Sequence, residues 1–378
     1  MAPLDDWMRR ALRVIENSDV SNQASLAAIY VGLPQPMRRG LLRCCPFRLM
    51  VLQALRAMAE SSASPIRSSG KSQKCIQNDR AKLRYMLDFT RQMAAWDDSE
   101  FEPRFFHTKQ YTVVTRNDAE ARFFEKLLDD DTVSDVVQKA LEEYCSGQVS
   151  NVAAHFGGFE DLQTDELNTI LANLRHLPTR LIQSLTQHVS LIFFATYPTD
   201  TTSSEHGLIS AHHPLLPNSF FLSRIAFSER GHLLELMYHE SLHNELETIS
   251  LVRSFYKADI DPLSTPKFVR PWGDAPTDNL WTFDRAFHAH YVYFHLCDLM
   301  RFLMHSRTIS DDLRLWGRHR YAICRERGLE LAQWLLVNGP HVLSAAGVKL
   351  VRFSRNMLTA QERRRRPREL ISLPDIAH

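Results

Sequence analysis

The chain has 378 residues, 44% of them hydrophobic, and a formal net charge of +1, enough apolar material for one large domain or two modest ones. That balance offers no global field to draw nucleic acid or an acidic membrane surface, and the longest apolar run, around Val189 to Ala195, is far too short to span a bilayer. Six cysteines without a C-x-x-C pair or framework spacing read as cytosolic thiols, and the start Met1-Ala2-Pro3-Leu4-Asp5-Asp6 lacks a basic region followed by an apolar run, so a cytoplasmic location is expected.

From Asp5 to about Glu60 apolar residues recur at helical spacing: Trp7, Leu12 and Ile15, then Leu26, Ile29 and Tyr30, then Leu49 through Met58. Pro34, Pro36 and Pro46 cut this region into short helices. Ser61 to Lys74 is serine-rich, with Pro65 and Gly70, and reads as a loop or linker. Helices are expected again over Asp79–Trp96, Asp118–Leu128 and Thr132–Tyr144. After a break at Asn151–Gly158, a further helical stretch runs from Leu162 to His188, interrupted at Pro178.

The pattern changes at Val189–Tyr197, which is short, β-branched and aromatic and ends at Pro198. It suits a buried strand. Gly207–Ser210 and Phe220–Ser223 are its expected partners, and His206, His212 and His213 between them read as polar loop residues because their spacing matches no ligand pattern. A helix is then expected from Ser228, as N-cap, to about Val252, with Leu233, Leu236, Met237, Leu242, Leu246 and Ile249 on its apolar sides.

That helix carries His239-Glu240-Ser241-Leu242-His243, an H-E-x-x-H motif. Residues four apart share a helix face, so His239 and His243 can offer imidazoles to one metal ion, with Glu240 beside it. Completion of the site is less constrained. The longer H-E-x-x-H-x-x-G-x-x-H signature is absent, since Leu246 and Ile249 occupy its Gly and third-His positions. No glutamate lies between Glu247 and Glu326. The interval instead holds a second helix-like stretch, Asn279 to Leu296, with His288 and His295 on one face and His290 turned away. A three-histidine site of His239, His243 and His288 is expected, with His290 and the intervening aspartates in reserve.

Further helices are expected over Ser310–Gly317, Ala322–Asn338 and Gly347 to about Arg366. The Arg363–Arg366 run, flanked by Glu362 and Glu369, reads as a solvated helix end rather than a nucleic-acid patch. The fold class expected is mainly α with a small β-sheet (α+β), the metal site between two helices and wrapped by N- and C-terminal helices. The regions are 1–60, N-terminal helices; 61–78, loop or linker; 79–188, helical; 189–306, metal-binding catalytic core; and 307–378, C-terminal helices and tail.

The order of these features resembles the HExxH-motif proteins associated with peptide natural-product gene clusters. The shared features are a strand at Ser219–Ser223 leading into the H-E-x-x-H helix, the loop Val269-Arg270-Pro271-Trp272-Gly273, and the pattern Phe287-His288-Ala289-His290-Tyr291, together covering about Val189 to Phe302. Members of that family are iron(II)- and 2-oxoglutarate-dependent peptide β-hydroxylases. The resemblance implies iron(II) on His239, His243 and His288, with 2-oxoglutarate as cofactor. Gly273-Asp274-Ala275-Pro276 stand where the family places arginines, and Arg270 and Arg285 are the nearest candidates for its carboxylate clamp. A ribosomally made precursor peptide is the implied partner, with neither nucleic acid nor membrane. The competing chemistry is a zinc metallopeptidase with three protein ligands, a metal-bound water and Glu240 as general base.

Overall fold

The structure is a computed structural model, and it describes residues 2–16, 26–44, 47–48, 50–52, 54–55, 58, 80–88, 90–91, 104–107, 111–115, 118–128, 155–157, 161–174, 176–196, 210–212, 217–260, 265–272 and 280–363. It is mainly helical with a small sheet, as the periodicity predicts. The expected loop at 61–74, the helix at 132–144, His206, His213 and the end of the arginine run lie outside the described residues. No described helix is long and apolar enough to cross a membrane. Contacts divide the chain into two compact units, Met1–Thr248 and Ile249–His378.

The first unit opens with α1 (Ala2–Glu16), α2 (Leu26–Gly32) and α3 (Gln35–Arg43). Asp5 joins the three: it accepts hydrogen bonds from the Tyr30 hydroxyl at 2.8 Å and from Arg38 Nε at 3.2 Å. After further helical residues within 47–58 and 80–91 come β1 (Arg104–His107), β2 (Tyr111–Thr115), α4 (Asp118–Leu128), β3 (His155–Gly157), α5 (Asp161–Leu174) and α6 (Thr179–His188). Three strands in that stretch were not expected. The runs Arg104-Phe105-Phe106-His107 and Tyr111-Thr112-Val113-Val114-Thr115 carry the aromatic and β-branched residues that favour pleated backbone. No Gly or Asn turn separates them to announce a hairpin.

Strand β4 (Leu191–Thr196) fulfils the buried-strand expectation. It pairs antiparallel with β2 and β3 on one side and parallel with β6 (Ser219–Ser223) on the other, and β5 (Ser210–Ala211) closes that edge. All five residues of β6 are buried, as strands covered on both faces are. Phe220, Phe221 and Leu222 each contribute about 1.5–3 kcal/mol by leaving water. Asn218, at the turn into β6, has φ 59°, a left-handed conformation that asparagine tolerates. Its carbonyl accepts from Ser190 N–H at 2.7 Å, and its side-chain oxygen accepts from the buried Arg48.

A 3-10 turn (Arg224–Phe227) leads into α7 (Arg230–Ser250). Ser228 closes that turn rather than capping the helix, whose first hydrogen bond runs from Leu233 N–H to the Glu229 carbonyl at 2.9 Å. Most of α7 is covered, polar residues included, so its apolar positions wrap around it instead of forming one stripe.

The second unit holds the strand pair β7 (Phe268–Val269) and β8 (Leu280–Trp281), then α8 (Phe283–His305), α9 (Asp311–Asn338) and α10 (Ala345–Arg363). Helix α8 begins later than its sequence suggests. Thr282 caps it, its hydroxyl accepting from Arg285 N–H at 3.3 Å, and Leu280-Trp281 belong to β8. The two helices expected over 310–338 are one. Gly317 lies inside α9 because α8 passes close: a Cβ there would stand 2.8 Å from the Met300 carbonyl oxygen.

Candidate metal centre

Helix α7 is tethered along its length. Asn244 Nδ2 donates to the Ser219 carbonyl of β6 at 2.9 Å, Ser184 of α6 donates to Glu245 at 2.5 Å, and Arg48 donates to Thr248 at 3.0 Å. Nearest the motif, the Ser210 hydroxyl of β5 donates to Glu240 at 2.5 Å. A helix anchored to two strands and a neighbouring helix holds its side chains in fixed positions, as chelation requires.

His239 and His243 turn toward each other, with Nε2 atoms 3.2 Å apart and ring centroids 5.0 Å apart. Nitrogens at about 2.0–2.1 Å from one ion are separated by about 3.3 Å at a tetrahedral angle and about 3.0 Å at a right angle. The observed spacing fits a shared ion in either geometry. Glu240, 4% exposed, completes a group whose candidate ligand atoms all lie within 4.8 Å of one another. Among the described residues no other such group of three histidines, cysteines or carboxylates occurs.

His212, expected as a polar loop residue, lies against the motif. Its ring stacks on His243, with centroids 5.8 Å apart and planes inclined by 12°. Its Nε2 lies 3.1 Å from Glu247 Oε2, close enough for an ion pair though not aligned for a hydrogen bond. One signal for Glu247 was present in the sequence, since His239, His243 and Glu247 stand at i, i+4 and i+8 on one helical face. His212 had no local signal. It arrives through the pairing of β5 with β6, a contact no spacing rule encodes.

The remaining expected residues lie in the second unit. His288 is half-buried on α8, with Nε2 3.7 Å from Asp284 Oδ1 one turn earlier. His290, the reserve ligand, is a core residue. Its Nδ1 donates to the Gly328 carbonyl at 3.0 Å and its Nε2 lies in hydrogen-bond contact with the Ser354 hydroxyl at 2.5 Å, so neither nitrogen is left for a metal. Burial pushes its pKa down to about 4. Arg270 and Arg285 meet at Trp281, their guanidinium carbons 5.4 Å and 4.9 Å from the indole centroid.

No family model matches the chain, and no curated protein matches it.

Proposed function

We propose that the protein is an iron(II)- and 2-oxoglutarate-dependent hydroxylase acting on a side-chain carbon of a ribosomally made peptide. The observation that carries the metal half of this reading is the 3.2 Å separation of the His239 and His243 nitrogens on a tethered helix. His288 is proposed as the third ligand on its position in the sequence pattern. Iron(II) with the keto acid bound would supply an oxidant strong enough to hydroxylate an unactivated carbon, turning the C–H group, dioxygen and 2-oxoglutarate into an alcohol, succinate and carbon dioxide.

The protein's own residues have narrower tasks. His239 and His243 hold the ion, and a ligand set without a carboxylate leaves it positive enough to favour a dianionic keto acid. Ser210 fixes the Glu240 carboxylate beside the histidines, which suits a residue that orients ligands or substrate. Arg270 or Arg285, each beside Trp281, is the clamp for the distal oxoglutarate carboxylate, because a planar guanidinium grips a carboxylate through two parallel hydrogen bonds.

One observation favours a second reading. The Glu240 carboxylate lies close enough to the histidine nitrogens to serve as general base toward a zinc-bound water, as in a peptidase. Anaerobic addition of iron(II) and 2-oxoglutarate to metal-free protein separates the two. A visible charge-transfer band is expected for keto-acid chelation. Absence of the band, together with zinc-restored cleavage of a peptide, would overturn the hydroxylase reading.

A further inference from the structure

We infer that an open cleft in the second unit docks the peptide substrate through a stretch that combines apolar and acidic side chains. The identification of its occupant as substrate rests on the hydroxylase reading above. The cleft encloses about 550 Å³, within the range of about 300–1,000 Å³ usual for ligand sites. Its apolar wall comprises Tyr291 and Phe294 of α8 with Leu350 and Phe353 of α10. Phe353 is 56% exposed and meets the Phe294 ring edge-on at 6.2 Å. One turn beyond it Met357 is 42% exposed, so the apolar stripe continues along α10 past the cleft. An apolar surface continuous with a concavity marks a place where another apolar group binds.

Charge selects the occupant. Arg253, just beyond α7, and Lys349, one turn into α10, both line the cleft and both are exposed, and no carboxylate lines it. Neither side chain has an ion-pair or hydrogen-bond partner among the described residues. Two cations from separate segments, without a partner among the described residues and beside an apolar wall, fit a chain that carries carboxylates at intervals. A single-headed lipid offers one charge and a tail that needs an enclosed tunnel, whereas this cleft is open to solvent.

The cleft also shares a helix face with the proposed third ligand. Tyr291 and His295, both in its lining, follow His288 by three and seven residues. On an α-helix these steps rise about 4.5 and 10.5 Å. A peptide held in the cleft therefore has residues within two turns of His288, which makes the site a docking groove for the reacting chain.

The test uses full-length protein freed of metal and a rhodamine-labelled peptide, acetyl-Glu-Leu-Phe-Glu-Leu, followed by fluorescence anisotropy at low salt. Its counterpart with lysine in place of both glutamates serves as the comparison. The glutamate peptide is expected to bind at least tenfold tighter than the lysine peptide. The R253E/K349E double variant is expected to reverse or erase that preference, and Phe353→Ala to weaken binding several-fold, with unchanged far-UV circular dichroism in each case. Equal binding of the two peptides, or binding indifferent to all three substitutions, overturns the proposal. So does a concentration-dependent dimer that Phe353→Ala dissolves, because the occupant would then be a second copy of the chain. Peptide binding lost in the variants without a charge-transfer band in the wild type sinks the hydroxylase and with it the occupant's role as substrate, leaving an acidic-peptide site. A band in wild type with unaltered peptide binding in the variants sinks the cleft alone.

Discussion

The Ser210 hydroxyl donates to the Glu240 carboxylate at 2.5 Å, joining the edge strand β5 to the helix that carries both motif histidines. Glu240 is buried, so this hydrogen bond sits where water competes little for it. Ser210→Ala is expected to lower metal affinity by up to about 10-fold while keeping one metal per chain, since Glu240 orients the ligands from beside them and such outer partners are typically worth about 10–100-fold. Titration with a competing chelator measures this. An affinity equal to wild type would mean that Glu240 needs no such anchor.

Glu240→Gln divides the two chemistries. The amide keeps the size and can still accept a hydrogen bond from Ser210, but it cannot take a proton from water at neutral pH. A zinc peptidase should fall by about 10²–10⁴-fold, the usual worth of a general base. A hydroxylase should retain measurable turnover, seen as succinate formed per peptide hydroxylated.

The α8–α9 contact gives a prediction about the fold. Gly317→Ala would place a methyl group 2.8 Å from the Met300 carbonyl oxygen and 2.9 Å from the Met304 nitrogen, both backbone atoms that cannot swing aside. Overpacking of this kind costs about 1–3 kcal/mol, more than the roughly 1 kcal/mol that alanine gains over glycine as a helix former. The melting temperature should fall. Gly32→Ala is the control: nothing lies within 4 Å of a Cβ at the end of α2, so that variant should melt at or slightly above wild type.

These residues also show what the sequence could and could not reveal. His239 and His243 were legible because their relation is local, four residues on one helix, and the helix extends as its apolar spacing predicts. β4 and β6 were legible because strands covered on both faces read as continuous apolar runs. β1 and β2 carried strand-forming residues without a turn signal. Gly317 looked like a break because a glycine that permits close packing and one that ends a helix are the same letter. His212 was missed because the expected sheet paired Gly207–Ser210 with β4, whereas β5 lies on β6 and so carries the next residue to His243.

His290 provides the last prediction, about pH. Its ring is fully enclosed between Gly328 and Ser354, and burial lowers its pKa from 6.5 to about 4. A carbonyl oxygen can only accept, so Nδ1 carries the hydrogen, and burial keeps the imidazole neutral in the folded protein near pH 7. The unfolded chain takes up a proton as pH falls through about 6.5, while the folded chain does so only near 4. The unfolded state therefore binds more protons in that window, and stability falls as pH falls. The contribution of this residue is fully present above about pH 6.5 and is lost progressively toward pH 4, about 3 kcal/mol at most from a shift of this size. His290→Gln keeps a donor and an acceptor but cannot titrate. It should be less stable than wild type at pH 7 and show a shallower loss between pH 6.5 and 4, by about one proton in the slope of unfolding free energy against pH. Denaturant unfolding at pH 7, 6, 5 and 4 checks this, and parallel slopes for the two proteins would show that His290 does not govern the acid sensitivity of the second unit.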